Sequence, residues 1–212
     1  MINKNQNYYN QERHEMLKYL PKYQLKLIDL GCGSGGFIRS ILSHRNEYSD
    51  EIWLIEPDTS SFKNTPSVFK KFNSNIESKI GELPDNYFNV IILNDVLEHL
   101  LWPEKILEEL KSKLSDNGRF VISLPNFNFW LTFKNILKGE FEYEEFGVMD
   151  ETHFRFFTKK SIIKMCKRRS LRIIEMEGIN GLYSVKWRLL NILTFGIFKN
   201  LFHQQWAIVI EK

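Results

Sequence analysis

The chain has 212 residues, 43% of them hydrophobic, and a formal net charge of +3. It is long enough to bury a proper core and has room for one full-sized domain with insertions. Cys32 and Cys166 fit neither a metal-ligand spacing nor a disulfide framework, which points to a reduced, cytoplasmic protein without a bound metal. No charged-then-apolar leader is read at the start, and the ten uncharged residues between Arg188 and Lys199 fall well short of the about 20 that a membrane span needs.

Along the chain, apolar runs alternate with helical patterns as a parallel α/β sheet requires, with no internal repeat. Residues 1–24 read as a helical lead, and 25–30 (LKLIDL), 51–55 (EIWLI), 88–93 (FNVIIL) and 119–124 (RFVISL) as buried strands. Between the last two, Ile106, Leu107, Leu110 and Leu114 recur at helical spacing after Pro103, and Ser115-Asp116-Asn117-Gly118 is expected to end that helix. The segment 125–157 has no clean period and is expected to cap the sheet edge. It carries six acids and no base between 140 and 151. Thr158 can then cap a helix over 159–169, followed by a strand near 171–177 and a closing strand near 206–210. Positions 159–172 hold seven cations and no acid, read as the solvated face of that helix with Ile162, Ile163 and Cys166 turned inward.

The run Asp29-Leu30-Gly31-Cys32-Gly33-Ser34-Gly35-Gly36 closes the first strand and opens a helix. Glycine lets the backbone turn sharply and approach a ligand without a Cβ, and a helix start offers unpaired N–H groups. The spacing also fits a dinucleotide fingerprint, so the glycines alone do not choose the cofactor. Asp29 favours S-adenosylmethionine, whose amino acid end a carboxylate can meet directly or through water, whereas a pyrophosphate would meet a like charge; the deciding stretch comes later, at Asn94–Leu100. Glu56, 20 residues past Gly36, is placed to accept both ribose hydroxyls.

With Asn94-Asp95-Val96-Leu97-Glu98-His99-Leu100, Trp102-Pro103-Glu104 and Leu124-Pro125-Asn126 added to that turn, residues 25–177 resemble class I S-adenosylmethionine-dependent methyltransferases. Within them, the chain is similar to the small-molecule group that includes quinone and sugar O-methyltransferases. The resemblance implies an α/β fold, a Rossmann-like seven-stranded mixed sheet flanked by helices, with a cap over the C-terminal strand edge. One domain spans 1–212: the lead, a cofactor-binding core at 25–124, a substrate cap at 125–158, and the rest of the sheet at 159–212 with an apolar insertion at 182–203. Cofactor contacts are expected from Asp29, Gly31, Gly33, Gly35, Glu56, Asn75 and Ile76 beside adenine, and Asn94. Asn75 stands where the family commonly has Asp. His153 is the preferred general base, with Asp150 and Asp95 assisting, and His99, Asn126, Trp130 and Arg155 are expected to face substrate. His153 can equally be a strut of the cap, and His99 a structural histidine on the sheet.

The reaction expected is methyl transfer from S-adenosylmethionine, leaving S-adenosylhomocysteine, to a hydroxyl or amine of a small polar metabolite, with a sugar or sugar-nucleotide of surface-glycan synthesis as first candidate. A nucleic-acid methyltransferase is the alternative, weakened because Asn94-Asp95-Val96-Leu97 stands in place of an Asn/Asp-Pro-Pro-aromatic motif and no separate basic domain is present. A partner protein that binds the cofactor without catalysis is another. The insertion holds Leu189, Leu190, Ile192, Leu193, Phe195, Ile197, Phe198, Leu201 and Phe202, too apolar for an idle loop. Packing on the cap or in a homodimer is expected ahead of a peripheral membrane contact through Trp187, Arg188 and Lys199.

Overall fold

A computed structural model describes residues 12–46, 49–182 and 184–212. The first part of the lead (1–11) and the side chains of Arg188 and Leu190 lie outside the described residues. Strand β1 (Lys26–Leu30) buries four of its five residues, as a strand covered on both faces must. β2 (Glu51–Ile55) and β4 (Phe88–Asn94) flank it in parallel, β3 (Lys70–Phe72) lies outside β2, and β5 (Leu114–Pro125) outside β4. β7 (His203–Glu211) runs antiparallel between β5 and β6 (Arg172–Gly181), giving the order β3-β2-β1-β4-β5-β7-β6. This is the expected seven-stranded mixed sheet.

Alternation along the strands sorts apolar side chains onto two faces. Ile28, Leu30, Ile91, Leu93, Phe120 and Ile208 enter one core with Ile106, Leu107 and Leu110 of α4 (Pro103–Lys111) and Ile162 and Met165 of α6 (Lys159–Arg168). Leu27, Leu54, Val90, Ile92, Val121 and Val209 enter the other with Phe37, Ile38 and Ile41 of α1 (Gly36–His44). Met16 and Tyr19 join this second core from the lead, whose described part is a 3₁₀ turn over His14–Tyr19. The shorter helices α2 (Thr59–Lys63) and α3 (Ile76–Lys79) follow β2 and β3. Order reverses between β1 and β4, so the crevice for a ligand opens at their carboxyl ends, where the glycine turn and Asn94 lie.

Four expectations change. Helix α4 stops at Lys111, and Ser115–Gly118 belong to the bulged start of β5, because Leu114 is fully buried and pairs with Phe88. At Gly118 a Cβ would meet the Phe88 carbonyl oxygen at 2.7 Å, so the bulge closes only around glycine. The cap contains a helix, α5 (Trp130–Leu137), hidden in the sequence because its apolar residues do not mark its inner side: Thr132 is buried while Leu131, Ile136 and Leu137 are exposed. On α6, capped by Thr158 and Ser161 as a box, Ile163 is exposed and Met165 takes its place inside. The insertion forms α7 (Val185–Leu193), with Trp187 against Trp130 and Phe202 and much of the remaining apolar surface open. No helix among the described residues is long and apolar enough to cross a membrane.

Candidate functional site

The turn after β1 exists because its glycines reach backbone angles other residues avoid. Gly31 (φ 72°) and Gly35 (φ 81°) are left-handed, and a Cβ would stand 2.8 Å from Val96 Cγ2 at the first and 2.5 Å from Pro66 Cδ at the second. The amides of Gly31 and Cys32 donate to the Ile55 carbonyl at 2.8 and 3.3 Å, holding the turn to the end of β2. α1 then starts with no side-chain cap, so its first N–H groups face the crevice end of the sheet.

Two acids line this turn. Glu56 is buried and accepts the amides of Gly33 (2.7 Å) and Asp58 (2.8 Å). Burial raises its pKa, opposed by those two hydrogen bonds. Asp29 is 2% exposed, and its Oδ1 is buried without a partner. Burial, and secondarily the charge of Glu56, push Asp29 up to about 8 against the pull of Arg13. An acid so placed is short of a cation or a strong donor.

Across the switch point, Asp29 is in register with Ile92, two residues before Asn94. Both amide atoms of Asn94 are buried and unpartnered. Asp95 follows at φ 53°, strain that a non-glycine residue sustains only where its surroundings impose it. Its carboxylate accepts from Ser123 Oγ (2.9 Å) and Gln205 Nε2 (3.0 and 3.1 Å) and forms a close ion pair with Arg13. Arg13 also pairs with Glu15 at 3.0 Å. No motif marks this arginine in the sequence, because only the fold brings it to a residue 82 positions away.

The cap locks onto the turn that follows β4. The Glu98 carbonyl accepts the amides of Phe154 (2.9 Å) and Arg155 (3.1 Å), which seats His153 against His99 with ring centroids 4.7 Å apart. His153 is buried, its Nδ1 is 3.1 Å from the Val148 carbonyl, and burial, then His99, press its pKa down to about 4. The ring is therefore neutral at working pH: it can accept a hydrogen bond, but it is a weaker base than expected. Glu98 is buried with both carboxylate oxygens unpartnered, and burial followed by the charge of Asp95 raises its pKa well above the ordinary value. Sequence reasoning passed over Glu98, although its place beside His99 was visible.

Other expected residues are engaged elsewhere. Asp150 Oδ1 accepts from the amide and hydroxyl of Thr152 at 2.8 and 2.6 Å, which makes it a brace of the cap turn. Arg155 is exposed and grips the Leu101 carbonyl (2.7 Å) over the Trp102 ring. Asn126 is fully buried and spends its amide on the carbonyls of Asn200 and His203, both at 2.7 Å, so it ties β5 to β7 and leaves no donor for substrate. Asn75 caps α3 by accepting the Ser78 amide at 3.0 Å, with Ile76 buried behind it; the oxygen retains one lone pair. Trp130 stands at the start of α5 in edge contact with Trp187. Phe127, Phe141, Tyr143 and Phe156 form a connected aromatic cluster in the cap.

Residues 1–176 match a family model described as a methyltransferase domain. A Haemophilus influenzae protein described as uncharacterized is 29% identical over 120 residues, covering 53% of this chain and 47% of its own length, so the chain spans about half the length of that curated relative. Among solved structures, a SAM dependent methyltransferase from Archaeoglobus fulgidus has a TM-score of 0.71 at 18% identity, over 98% of this chain and 95% of that one. A Burkholderia thailandensis 1,6-didemethyltoxoflavin-N1-methyltransferase, solved with bound S-adenosylhomocysteine, has a TM-score of 0.59 at 11% identity, over 96% and 78%. At such identities these structures share the fold.

Proposed function

Because the chain belongs to the methyltransferase-domain family, we propose that it transfers a methyl group from S-adenosylmethionine to a hydroxyl or amine of a small polar metabolite. A sugar or sugar-nucleotide is the first candidate acceptor, on the resemblance of the cap. The observation that carries the reading is the set of buried, unsatisfied groups at the β1/β4 crevice: Asp29 Oδ1 and both amide atoms of Asn94. These fit an amino acid end, with the Asp29 carboxylate taking the ammonium and giving up its proton as it does so. Glu56 accepts the ribose hydroxyls, and Asn75 with Ile76 borders the adenine. The glycine turn brings the backbone close, and a β-carbon at Gly31 or Gly35 would close it off.

When bound, S-adenosylmethionine supplies an electrophilic methyl on a sulfonium. The chain then has to align the acceptor in line with it and keep water away. Asp95, fixed by Arg13, Ser123 and Gln205, presents one wall, and the neutral ring of His153 accepts a hydrogen bond from the acceptor on the cap side. The acids of 140–151 favour a cationic amine where the acceptor is nitrogen. On α6, Arg168 and Arg169 pair with Glu104, which leaves its basic face fewer cations for a nucleic-acid track. The free thiols Cys32 and Cys166 suit a reducing, cytoplasmic setting.

Calorimetry with S-adenosylmethionine, S-adenosylhomocysteine and NAD tests the cofactor assignment; NAD binding with no response to the other two would end it. Incubation with methyl-labelled cofactor and pooled metabolites tests turnover. Binding without any labelled product would leave a cofactor-binding partner protein.

A further inference from the structure

Outside the cofactor crevice, the cap creates one more cluster of donors. β4 runs into the 3₁₀ turn Leu97–His99, and the clamp of the Phe154 and Arg155 amides on the Glu98 carbonyl carries His153 onto it. One donor atom each from Glu98, His99 and His153 then lie within 4.8 Å of one another. Residues 54 positions apart converge here through the cap lock and not through a shared helix face.

Both imidazoles are oriented by the same device. His153 Nδ1 faces the Val148 carbonyl at 3.1 Å, and His99 Nδ1 faces the Thr152 carbonyl at 3.2 Å. A carbonyl oxygen only accepts, so each Nδ1 carries the proton and each Nε2 the lone pair. This is how metal-binding histidines are prepared, with the second nitrogen tied to a carbonyl that fixes tautomer and ring orientation. Glu98 is 1% exposed and both its oxygens are buried without a hydrogen-bond partner. One carboxylate oxygen and one nitrogen of each ring thus come within reach of a single ion, and the Nδ1 N–H groups that could have satisfied the carboxylate are directed to carbonyls. What such a centre lacks is a cation.

We propose that Glu98, His99 and His153 bind a divalent first-row transition-metal ion. Two imidazole nitrogens and one carboxylate suit Zn²⁺, Fe²⁺ or Mn²⁺ in preference to Ca²⁺, which takes six to eight oxygens. Three protein ligands leave coordination positions open. On the methyltransferase reading, on which this last step rests, His153 Nε2 holds the ion in place of a hydrogen bond from the acceptor, and an open position takes the acceptor's hydroxyl oxygen; the metal draws the O–H proton off to solvent, the oxygen bonds the methyl carbon, and the carbon–sulfur bond breaks with its electron pair on sulfur.

The test uses the full chain without a histidine tag, stripped with chelator. Titration with Zn²⁺ and Mn²⁺, with elemental analysis, should give one ion per chain at micromolar affinity. Co²⁺ should give visible d–d bands. Glu98→Gln and His153→Gln should each weaken binding at least about tenfold and erase those bands, while S-adenosylmethionine affinity in the same samples stays within twofold. His99→Gln serves where either variant fails to fold by circular dichroism. A wild-type chain that takes up no ion, or folded variants that bind as wild type does, overturns the proposal; loss of cofactor binding by the wild type would instead strike the methyltransferase reading.

Discussion

The cofactor turn and the cap are built by opposite means. Around Gly31–Gly35 the shape is written into the backbone: left-handed glycines, an amide ladder onto Ile55, and two neighbouring strands in continuous parallel register. In the cap the shape depends on a few tertiary ties, chiefly the Glu98 carbonyl holding two amides and Asn126 holding two carbonyls. A site with one wall fixed locally and the other fixed at a distance can keep its cofactor while its acceptor side is rebuilt. Perturbations of the two halves should therefore separate in their effects.

The largest separation is expected from His153→Ala. On the role proposed for His153, turnover on a hydroxyl acceptor should fall at least about 100-fold while S-adenosylmethionine affinity hardly changes. Single-turnover kinetics alongside calorimetry checks both halves of this statement. A full-rate variant would reduce His153 to a strut of the cap. Glu56→Ala should do the converse and weaken cofactor binding by about 1–3 kcal/mol through lost hydrogen bonds to ribose. Unchanged affinity would move the ribose contact elsewhere.

Titration separates the halves with a smaller effect and opposite signs. Asp29 has an ordinary value of 3.8 and stands at about 8 in the fold. Between those values the folded chain holds a proton that the unfolded chain has lost, so stability falls as pH rises through the window and levels off above about 8, by up to about 1.4 kcal/mol per pH unit. Glu56 and Glu98, also raised, act in the same sense. His153, lowered from 6.5 to about 4, acts the other way: stability falls as pH drops through that range. From pH 6.5 to 8 the cap histidine is silent and the acids remain. Denaturant unfolding of the cofactor-free chain should show a falling stability there, and Asp29→Asn should flatten part of that slope. Cofactor affinity should rise over the same interval with proton release measurable in buffers of different ionisation enthalpy. An affinity independent of pH would mean that Asp29 does not meet the ammonium.

Legibility in the sequence follows the same division. LIDLGCGSGG announces its turn because glycine spacing and strand pattern are local, and the strands around it were readable as apolar runs for the same reason. β3 was not, being three residues long and mostly exposed. In the cap, α5 buries Thr132 and exposes Leu131, Ile136 and Leu137, so no apolar period marks it, and the brace roles of Asp150, Arg155 and Asn126 depend on carbonyls and amides whose positions only the fold decides. Arg13 and Glu98 were missed for the same reason: their meaning lies in Asp95 and in the two histidines that tertiary structure brings beside them. Motif residues on strand ends can be read in advance; residues that act through tertiary neighbours cannot.

The smallest effect on the fold, and the sharpest on assembly, is expected at the insertion. α7 and the turn after it are divided between two environments: Trp187 packs on Trp130 of the cap and on Phe202, while Leu189 and Leu193 of the helix and Ile197 of the turn are 53, 76 and 73% exposed. Cap packing therefore accounts for one side of the expected burial and leaves an apolar stripe on the other, larger than scattered surface residues would give. Seven cations sit on 159–172, but the insertion has only Lys186, Arg188 and Lys199 at its ends and none between Leu189 and Phe198, too few for the strongly basic face that draws a helix onto anionic lipid. A second copy is the better cover. Light scattering should then show concentration-dependent association with no flotation on phosphatidylglycerol vesicles. Leu189→Gln with Leu193→Gln should return a monomer whose unfolding free energy changes by no more than about 0.5 kcal/mol, because both side chains are already in water in the single chain. A strict monomer that floats with the vesicles would reverse the order and make the cap side of this protein a membrane-facing one.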